Sequence, residues 1–283
     1  MNIKWKIIPK SRLDKVAFST ILIGIHIAKW FYHTEILPSR FKHLPWHDPV
    51  YLLHFTFSVI CYFNVMVCIW KISSTDTTSG SVILPSVLKP KWFYCSVCVC
   101  NAPPRSFHCD ICDRCILKRD HHCLFIGTCI GHNNFRYFIL LLFYVTIASF
   151  YSTLMFVRYT LTEFGRLSFS YLFSIIVPIL AWLFGVLYSP HLLACFLTGL
   201  SSLVFIAVIS CLLYHVRNIY NGQTTYERRS KKHDYNLGWK KNFLDALGKN
   251  YHISWICPLI NSPLPGDGIN FTTRDMHETA KSL

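Results

Sequence analysis

Residues 137–157 read YFILLLFYVTIASFYSTLMFV, a run without a single charge that lies between Arg136 and Arg158. The hydrocarbon layer of a bilayer is about 30 Å thick and takes roughly 20 mostly apolar residues to cross as a helix. This run is that long. The whole chain has a matching composition: 52% of its 283 residues are apolar, 16% aromatic and only 15% charged, against roughly 25% charged in soluble domains. Disorder is excluded by the same figures, because disordered segments are rich in charge and poor in aromatics. The run reads as a helix that spans a membrane.

Two further stretches resemble it. Residues 50–70 hold no charge between Asp48 and Lys71, and 16–32, extending toward Leu37, carry His26 and Lys29. Aromatics gather near their ends (Trp30, Phe31, Tyr32, Tyr51, Trp70, Tyr137, Phe138), as interfacial anchors do. The first stretch is too long for a signal-peptide core, and no small-x-small cleavage site follows it. Residues 167–216 hold two apolar segments, 169–188 with Pro178 inside and 191–214, parted by Ser189-Pro190.

The charges set the topology. Of 28 Lys and Arg, five precede Val16 (Lys4, Lys6, Lys10, Arg12, Lys15), eight lie within 71–136 and ten from Arg217 onward. Positive residues mark cytosolic segments, so all three regions are expected on that side, and the crossings between Arg136 and Arg217 must be even. One is 137–157. The other is 191–214, which feeds directly into the basic tail, and 169–188 is then a re-entrant or lumen-side apolar hairpin. The expected fold is an all-α polytopic membrane protein with four transmembrane helices and a small zinc-stapled, cytosolic, cysteine-rich domain. Its segments are a cytosolic arm 1–15, two spans within 16–70, the cysteine-rich segment 71–136, a third span 137–157, the apolar region 167–216 and a cytosolic tail 217–283. The net charge of +14 is accounted for by the anionic cytoplasmic leaflet, worth about 1 kcal/mol per Lys or Arg. No nucleic-acid recognition motif is present, and nucleic acid is not expected as a partner.

Eight of thirteen cysteines fall between Cys95 and Cys129: Cys95, Cys98, Cys100, Cys109, Cys112, Cys115, Cys123 and Cys129, with His108, His121 and His122 among them. Reducing conditions in the cytosol disfavour disulfides. Cys95-x2-Cys98 and Cys109-x2-Cys112 are the short turns that bring two thiolates to one tetrahedral zinc, at about 2.3 Å. Two closed sites need eight ligands and the segment offers eleven, so three candidates are surplus and a thiol can be free for chemistry. Asp120-His121-His122-Cys123 holds an orienting carboxylate, a base and a nucleophile in order. In an extended strand, residues two apart share a side, so His121 can approach Cys123 while His122 faces away toward a metal. A neighbouring imidazole can take the thiol's proton, and a carboxylate on its other nitrogen fixes the tautomer. On residue chemistry alone, a catalytic set and a purely metal-binding role stand equal. Cys61, Cys68, Cys195 and Cys211 lie in apolar spans and read as small hydrophobes. Cys257 is a candidate lipidation site at the membrane edge.

The run Cys95-x2-Cys98-x9-His108-Cys109-x2-Cys112-x2-Cys115-x4-Asp120-His121-His122-Cys123-x5-Cys129, continued by Ile130-Gly131-His132-Asn133-Asn134-Phe135, resembles the cysteine-rich domain of the DHHC protein S-acyltransferases. Thr224-Thr225-Tyr226-Glu227 is similar to that family's T-T-x-E motif, and 236–243 with Leu247-Gly248 is similar to its C-terminal element. The resemblance implies two structural zincs, one held by Cys95, Cys98, His108 and Cys115 and one by Cys109, Cys112, His122 and Cys129. It leaves Cys123 as nucleophile, His121 as base, Asp120 as orienter and Cys100 without a role. Thr225 would support Asp120 from the tail, and Asn242 would bond to backbone near the last span. Implied further are a long-chain acyl-CoA such as palmitoyl-CoA as co-substrate, protein substrates with membrane-proximal cysteines, the bilayer as host, and endoplasmic reticulum or Golgi as address. Leu124-Phe125 stand where most members have Pro-Trp. The competing readings are a membrane zinc-domain adaptor and an inactive pseudoenzyme.

Overall fold

A computed structural model of the chain describes residues 9–164 and 167–282. Lys4 and Lys6, counted above in the arm, lie outside the described residues. The chain opens with α1 (Arg12–Phe31), a π-helical turn (Tyr32–Ile36) and α2 (Leu37–Arg40), followed by α3 (Pro49–Ser74). The π turn has a local cause. Pro38 cannot donate to the helix, and its ring crowds the preceding turn. The chain widens just before it, and the Leu37 amide reaches back to Tyr32 O.

Six short strands follow: β1 (Phe93–Cys95), β2 (Cys100–Ala102), β3 (Phe107–Cys109), β4 (Arg114–Ile116), β5 (His121–Cys123) and β6 (Thr128–Ile130). They pair in sequence as three antiparallel hairpins. The rest is helical: α4 (Phe135–Phe164), α5 (Phe169–Ile176), α6 (Pro178–Leu183), α7 (Leu192–Tyr220), α8 (Thr225–Arg229), α9 (Trp239–Leu247), α10 (Tyr251–Ser254) and α11 (Arg274–Ser282).

Among the described residues, three helices are long and apolar enough to cross a membrane: α3, the Phe135–Thr162 part of α4, and α7. The helix holding the first apolar stretch is not among them, since α1 also carries Arg12, Asp14, Lys15 and Lys29. Two helices overrun the stretches read from hydropathy. The helix of the third span continues from 157 to Phe164, and that of the fourth from 214 to Tyr220, so Arg158, His215 and Arg217 are helical. Hydropathy registers where a run stops being apolar, whereas a helix stops where its backbone is terminated; here Gly222, with φ of +64°, follows the last turn. Segment 169–188 is two short helices broken at Val177 (φ −132°, ψ 63°), where the following proline disfavours helical dihedrals.

The described chain divides into two compact units. One comprises Leu22–Val65 and Leu142–Cys211. Its core joins Phe31, Ile36, Leu37, Met155, Phe156, Ala194 and Leu197. Beside it Tyr151 Oη meets both Tyr32 Oη (2.7 Å) and His54 Nδ1, a pairing that hydrocarbon surroundings favour.

The other unit comprises Met1–Ile21, Met66–Leu141 and Leu212–Leu283, and so gathers the arm, the hairpins and the tail. Asn134, fully buried, ties its parts together. Its Oδ1 accepts from Gly131 N (2.9 Å), and its Nδ2 donates to Cys129 O (3.0 Å) and Ile72 O (3.4 Å). Gly131 is there because nothing larger fits: an added Cβ would meet Leu117 O at 2.6 Å, Thr77 Oγ1 at 2.7 Å and Ile116 Cγ2 at 2.8 Å. Gly131→Ala is expected to destabilise this unit by about 1–3 kcal/mol, the usual cost of overpacking. A lowered thermal midpoint of the purified protein would register it.

Candidate active site and metal centres

Each hairpin offers two kinds of position. Its turn, C-x2-C, can present two sulfurs, and its paired strands can present a residue on each side. His108 is opposite Cys115 across the second hairpin, and His122 opposite Cys129 across the third. Neighbours along a strand face opposite sides, so His108 looks one way and Cys109 the other. The turn of the first hairpin therefore meets the strand pair of the second, and the turn of the second meets the strand pair of the third. Two clusters result, Cys95, Cys98, His108, Cys115 and Cys109, Cys112, His122, Cys129, each with its ligand atoms within 4.8 Å of one another.

Tetrahedral zinc with ordinary bond lengths sets sulfur and nitrogen about 3.6 Å apart and two sulfurs about 3.8 Å apart. Around His108 Nδ1, Cys98 Sγ is at 3.2 Å and Cys95 Sγ at 3.9 Å. Around His122 Nδ1, Cys112, Cys129 and Cys109 stand at 3.3, 3.6 and 3.7 Å, and the Cys112 and Cys129 sulfurs are 3.6 Å apart. Both Cys3His clusters are consistent with metal binding.

A fourteen-residue repeat underlies this arrangement. Cys95, Cys109 and Cys123 each close the first strand of a hairpin, spaced by fourteen. Four residues beyond each, Val99, Asp113 and Gly127 have positive φ, at 50°, 52° and 70°. His108 recurs as His122, and Cys115 as Cys129. The second turn cysteine, Cys98 and then Cys112, is replaced in the third hairpin by Ile126, and the chain enters α4 where a fourth hairpin would supply the next strand pair. Cys123 thus occupies a turn-ligand position whose partners are missing. A search for internal periodicity would have exposed this in the sequence.

On the far side of β5 from His122, His121 Nδ1 donates to Asp120 Oδ2 at 2.8 Å. The tail grips the same carboxylate: Thr225 N donates to Oδ1 (2.9 Å) and Thr225 Oγ1 to Oδ2 (2.7 Å). Burial alone would raise the pKa of Asp120, but the His121 hydrogen bond, the nearby His121 and His215 charges and Thr225 outweigh it and hold the group below its ordinary value. For His121, burial opposes the cation, yet the bond to Asp120, the Cys123 side chain and their charges raise it to about 9.

His215, from the last turns of α7, was not singled out by the sequence reading. It sits 3.8 Å from Asp120 Oδ2, with its Nδ1 buried and without a hydrogen-bond partner. Phe138 lies edge-on to both imidazoles, 5.0 Å from His121 and 5.1 Å from His215. The signal was one histidine just past the apolar run, which composition alone assigns to the tail.

Thr225 is positioned by its own helix. Thr224 caps α8 reciprocally with Glu227, and Glu227 forms a buried pair with Arg105 from the loop before β3 (2.7 and 2.6 Å). Asn242 is buried in α9 and donates to Tyr220 O (2.8 Å), while accepting from Leu237 N (3.1 Å). Beside Asp120 opens a cavity of about 300 Å³ lined by Arg105, Lys118, Lys241, His132, Tyr235 and Asn242 among others. Burial and then Arg105 lower Lys118 to about 8. Burial and then Lys118 lower His132 to about 4. Asp120 and Asp245 share the lining with these cations, and Arg105 is paired with Glu227.

Comparison with known proteins agrees with this geometry. The family described as DHHC palmitoyltransferase matches residues 89–232, which hold the hairpins, α4 through α7 and the Thr225 helix. The zebrafish protein "Probable palmitoyltransferase ZDHHC24" (Danio rerio) is 37% identical over 217 residues, covering 74% of this chain and 73% of its own. Its human namesake is 33% identical over 209 residues, covering 73% and 74%. A plant protein, "Probable protein S-acyltransferase 15" of Arabidopsis thaliana, is 29% identical over 163 residues, covering 52% of this chain and 56% of its own. With matches of that extent over the segment that builds both clusters and the Asp120-His121 pair, the chain belongs to the DHHC palmitoyltransferase family.

Proposed function

We propose that the protein transfers a long-chain acyl group, palmitoyl above all, from acyl-CoA to cysteine thiols of membrane-associated proteins through an S-acyl-Cys123 intermediate. The observation that carries this reading is Cys123 itself, a thiol outside both metal clusters and beside an imidazole fixed by a carboxylate. Cys100 is also outside the clusters, but it pairs with Cys95 on the first hairpin and is given no catalytic part.

In the first half-reaction, His121 Nε2 takes the proton of Cys123, whose sulfur attacks the thioester carbonyl. The bond from carbonyl carbon to the CoA sulfur breaks, and the departing thiolate recovers the proton from the imidazolium. In the second half, a substrate cysteine gives its proton to His121, attacks S-acyl-Cys123 and carries away the acyl group. Asp120 keeps the imidazole in one tautomer, and Thr225 keeps Asp120 in place. Zinc, held by the two Cys3His sets, would supply only framework, because protein ligands fill all four positions of each site. Lys118 and Lys241, which line the cavity beside Asp120, suit the phosphates of a CoA head group. Phe125, 56% exposed next to the nucleophile, suits a site at the lipid boundary, where a fatty chain gains about 0.8 kcal/mol per buried CH2.

The same reading keeps four crossings: α1 with its continuation, α3, α4 and α7, with 169–188 as a re-entrant or lumen-side apolar hairpin and the arm, hairpins and tail in the cytosol. It keeps the segment boundaries expected above for arm, spans, cysteine-rich domain and tail, and an endoplasmic reticulum or Golgi address.

The test is incubation of the purified full chain with radiolabelled palmitoyl-CoA, followed by hydroxylamine. Label should enter the protein, approach one per chain, leave with hydroxylamine and pass to an added peptide thiol. A chain that binds two zincs yet takes up no label would instead be an adaptor or pseudoenzyme. Thr225→Val keeps the shape and the amide but loses the hydroxyl bond to Asp120. Hydrogen bonds to charged groups are worth about 1.5–3 kcal/mol, so acylation should slow about 10–100-fold with zinc content unchanged.

A further inference from the structure

The beginning of α1 lies against the second metal cluster. His122 turns Nδ1 toward Cys109, Cys112 and Cys129, which leaves Nε2 to carry the proton, and Nε2 donates to Asp14 Oδ2 at 3.1 Å. Asp14 is 1% exposed, in the first turn of a helix otherwise remote in sequence. Two other contacts bring it there. Lys10 Nζ donates to Cys112 O at 2.6 Å, and Pro9 packs so closely on Gly127, the turn glycine after Cys123, that a Cβ there would overlap it. Among the described residues the first cluster has no such buried partner: His108 Nε2 faces Asp110 at 3.7 Å, and that carboxylate is fully exposed.

We infer that Asp14 is the outer partner of the second zinc site, a positioning residue that orients His122 and makes the N-terminal segment part of the metal framework. The inference rests on the reading that Cys109, Cys112, His122 and Cys129 hold zinc. A carboxylate on the far nitrogen of a ligating histidine fixes its tautomer and ring angle and makes the near nitrogen a better ligand. Losing such a partner typically costs about 10–100-fold in metal affinity. A role limited to starting α1 is the alternative, since acidic residues in a first turn favour the helix by themselves.

The experiment compares the purified full chain in detergent with Asp14→Ala, Asp14→Asn, Ser11→Ala and Asp110→Ala. Zinc per chain is measured first, then release to a chelating dye, then the cysteines exposed to an alkylating reagent during release. Wild type should carry two zincs. Asp14→Ala should release one of them about 10–100-fold faster, with Cys109, Cys112 and Cys129 alkylated first. Asp14→Asn, which keeps an acceptor oxygen, should fall between and guards against a variant that does not fold. Ser11→Ala loses only the contact to the Asp14 amide and, like Asp110→Ala, should release zinc as wild type does. Wild-type release from both Asp14 variants, equal loss in Ser11→Ala, or early alkylation of Cys95, Cys98 and Cys115 would each overturn the inference. Wild type without zinc would overturn the underlying metal reading instead.

Discussion

Cys123→Ala is expected to reduce acyl labelling from palmitoyl-CoA to background while leaving zinc at two per chain. The size of the effect follows from the chemistry: no other sulfur stands beside the His121 imidazole among the described residues, so no weaker route replaces it. The retained zinc separates a lost nucleophile from a lost fold, since Cys123 lies outside both clusters. His121→Ala keeps the sulfur but removes the group that takes and returns its proton. General base catalysis is worth about 10²–10⁴-fold, and label should still appear, slowly. Hydroxylamine release and mass-spectrometric assignment of the labelled peptide check both. Label persisting in Cys123→Ala, at Cys100 or elsewhere, would refute the mechanism.

The second large effect belongs to Cys129. It is fully buried, joins the second cluster, and pairs across the third hairpin with His122, on the strand that also carries His121 and Cys123. Structural zinc contributes about 10–16 kcal/mol in zinc-finger peptides, as much as or more than the whole stability of an ordinary domain, about 5–15 kcal/mol. Cys129→Ala should lower zinc to one per chain or less, abolish labelling, and open the hairpin to proteolysis between β5 and β6. Cys100→Ala, on the first hairpin but outside both clusters, should change neither zinc nor label. Zinc content and limited proteolysis, read in parallel, distinguish collapse at one site from general unfolding.

What could be read from residues alone was what depends on local spacing. The eight cluster ligands lie within 35 positions, and their separations carry their geometry. The apolar runs of α3, α4 and α7 are likewise visible in composition. Less visible were features made by residues far apart in the chain. Asp14 looks like one more charge in a basic arm, and its burial against His122, 108 positions away, follows from no pattern. Arg105 and Glu227, 122 apart, look like loop charges until the tail folds back. His215 was hidden for another reason: hydropathy ends a span at the last apolar residue, while the helix continues to Tyr220 and carries the histidine toward Asp120.

The hairpin series is an unfinished ladder, and that has a consequence for how this enzyme family could gain or lose its chemistry. On the function proposed above, a rung that finds a successor becomes structure, because metal consumes its thiols, whereas Cys123 on the last rung, with none, stays free to react. Whether sulfur stabilises or reacts here is decided by position in the series and not by residue type. Substituting cysteine for Ile126 would restore the missing half of the third turn, and thiophilic cations would then compete with fatty acid for Cys123.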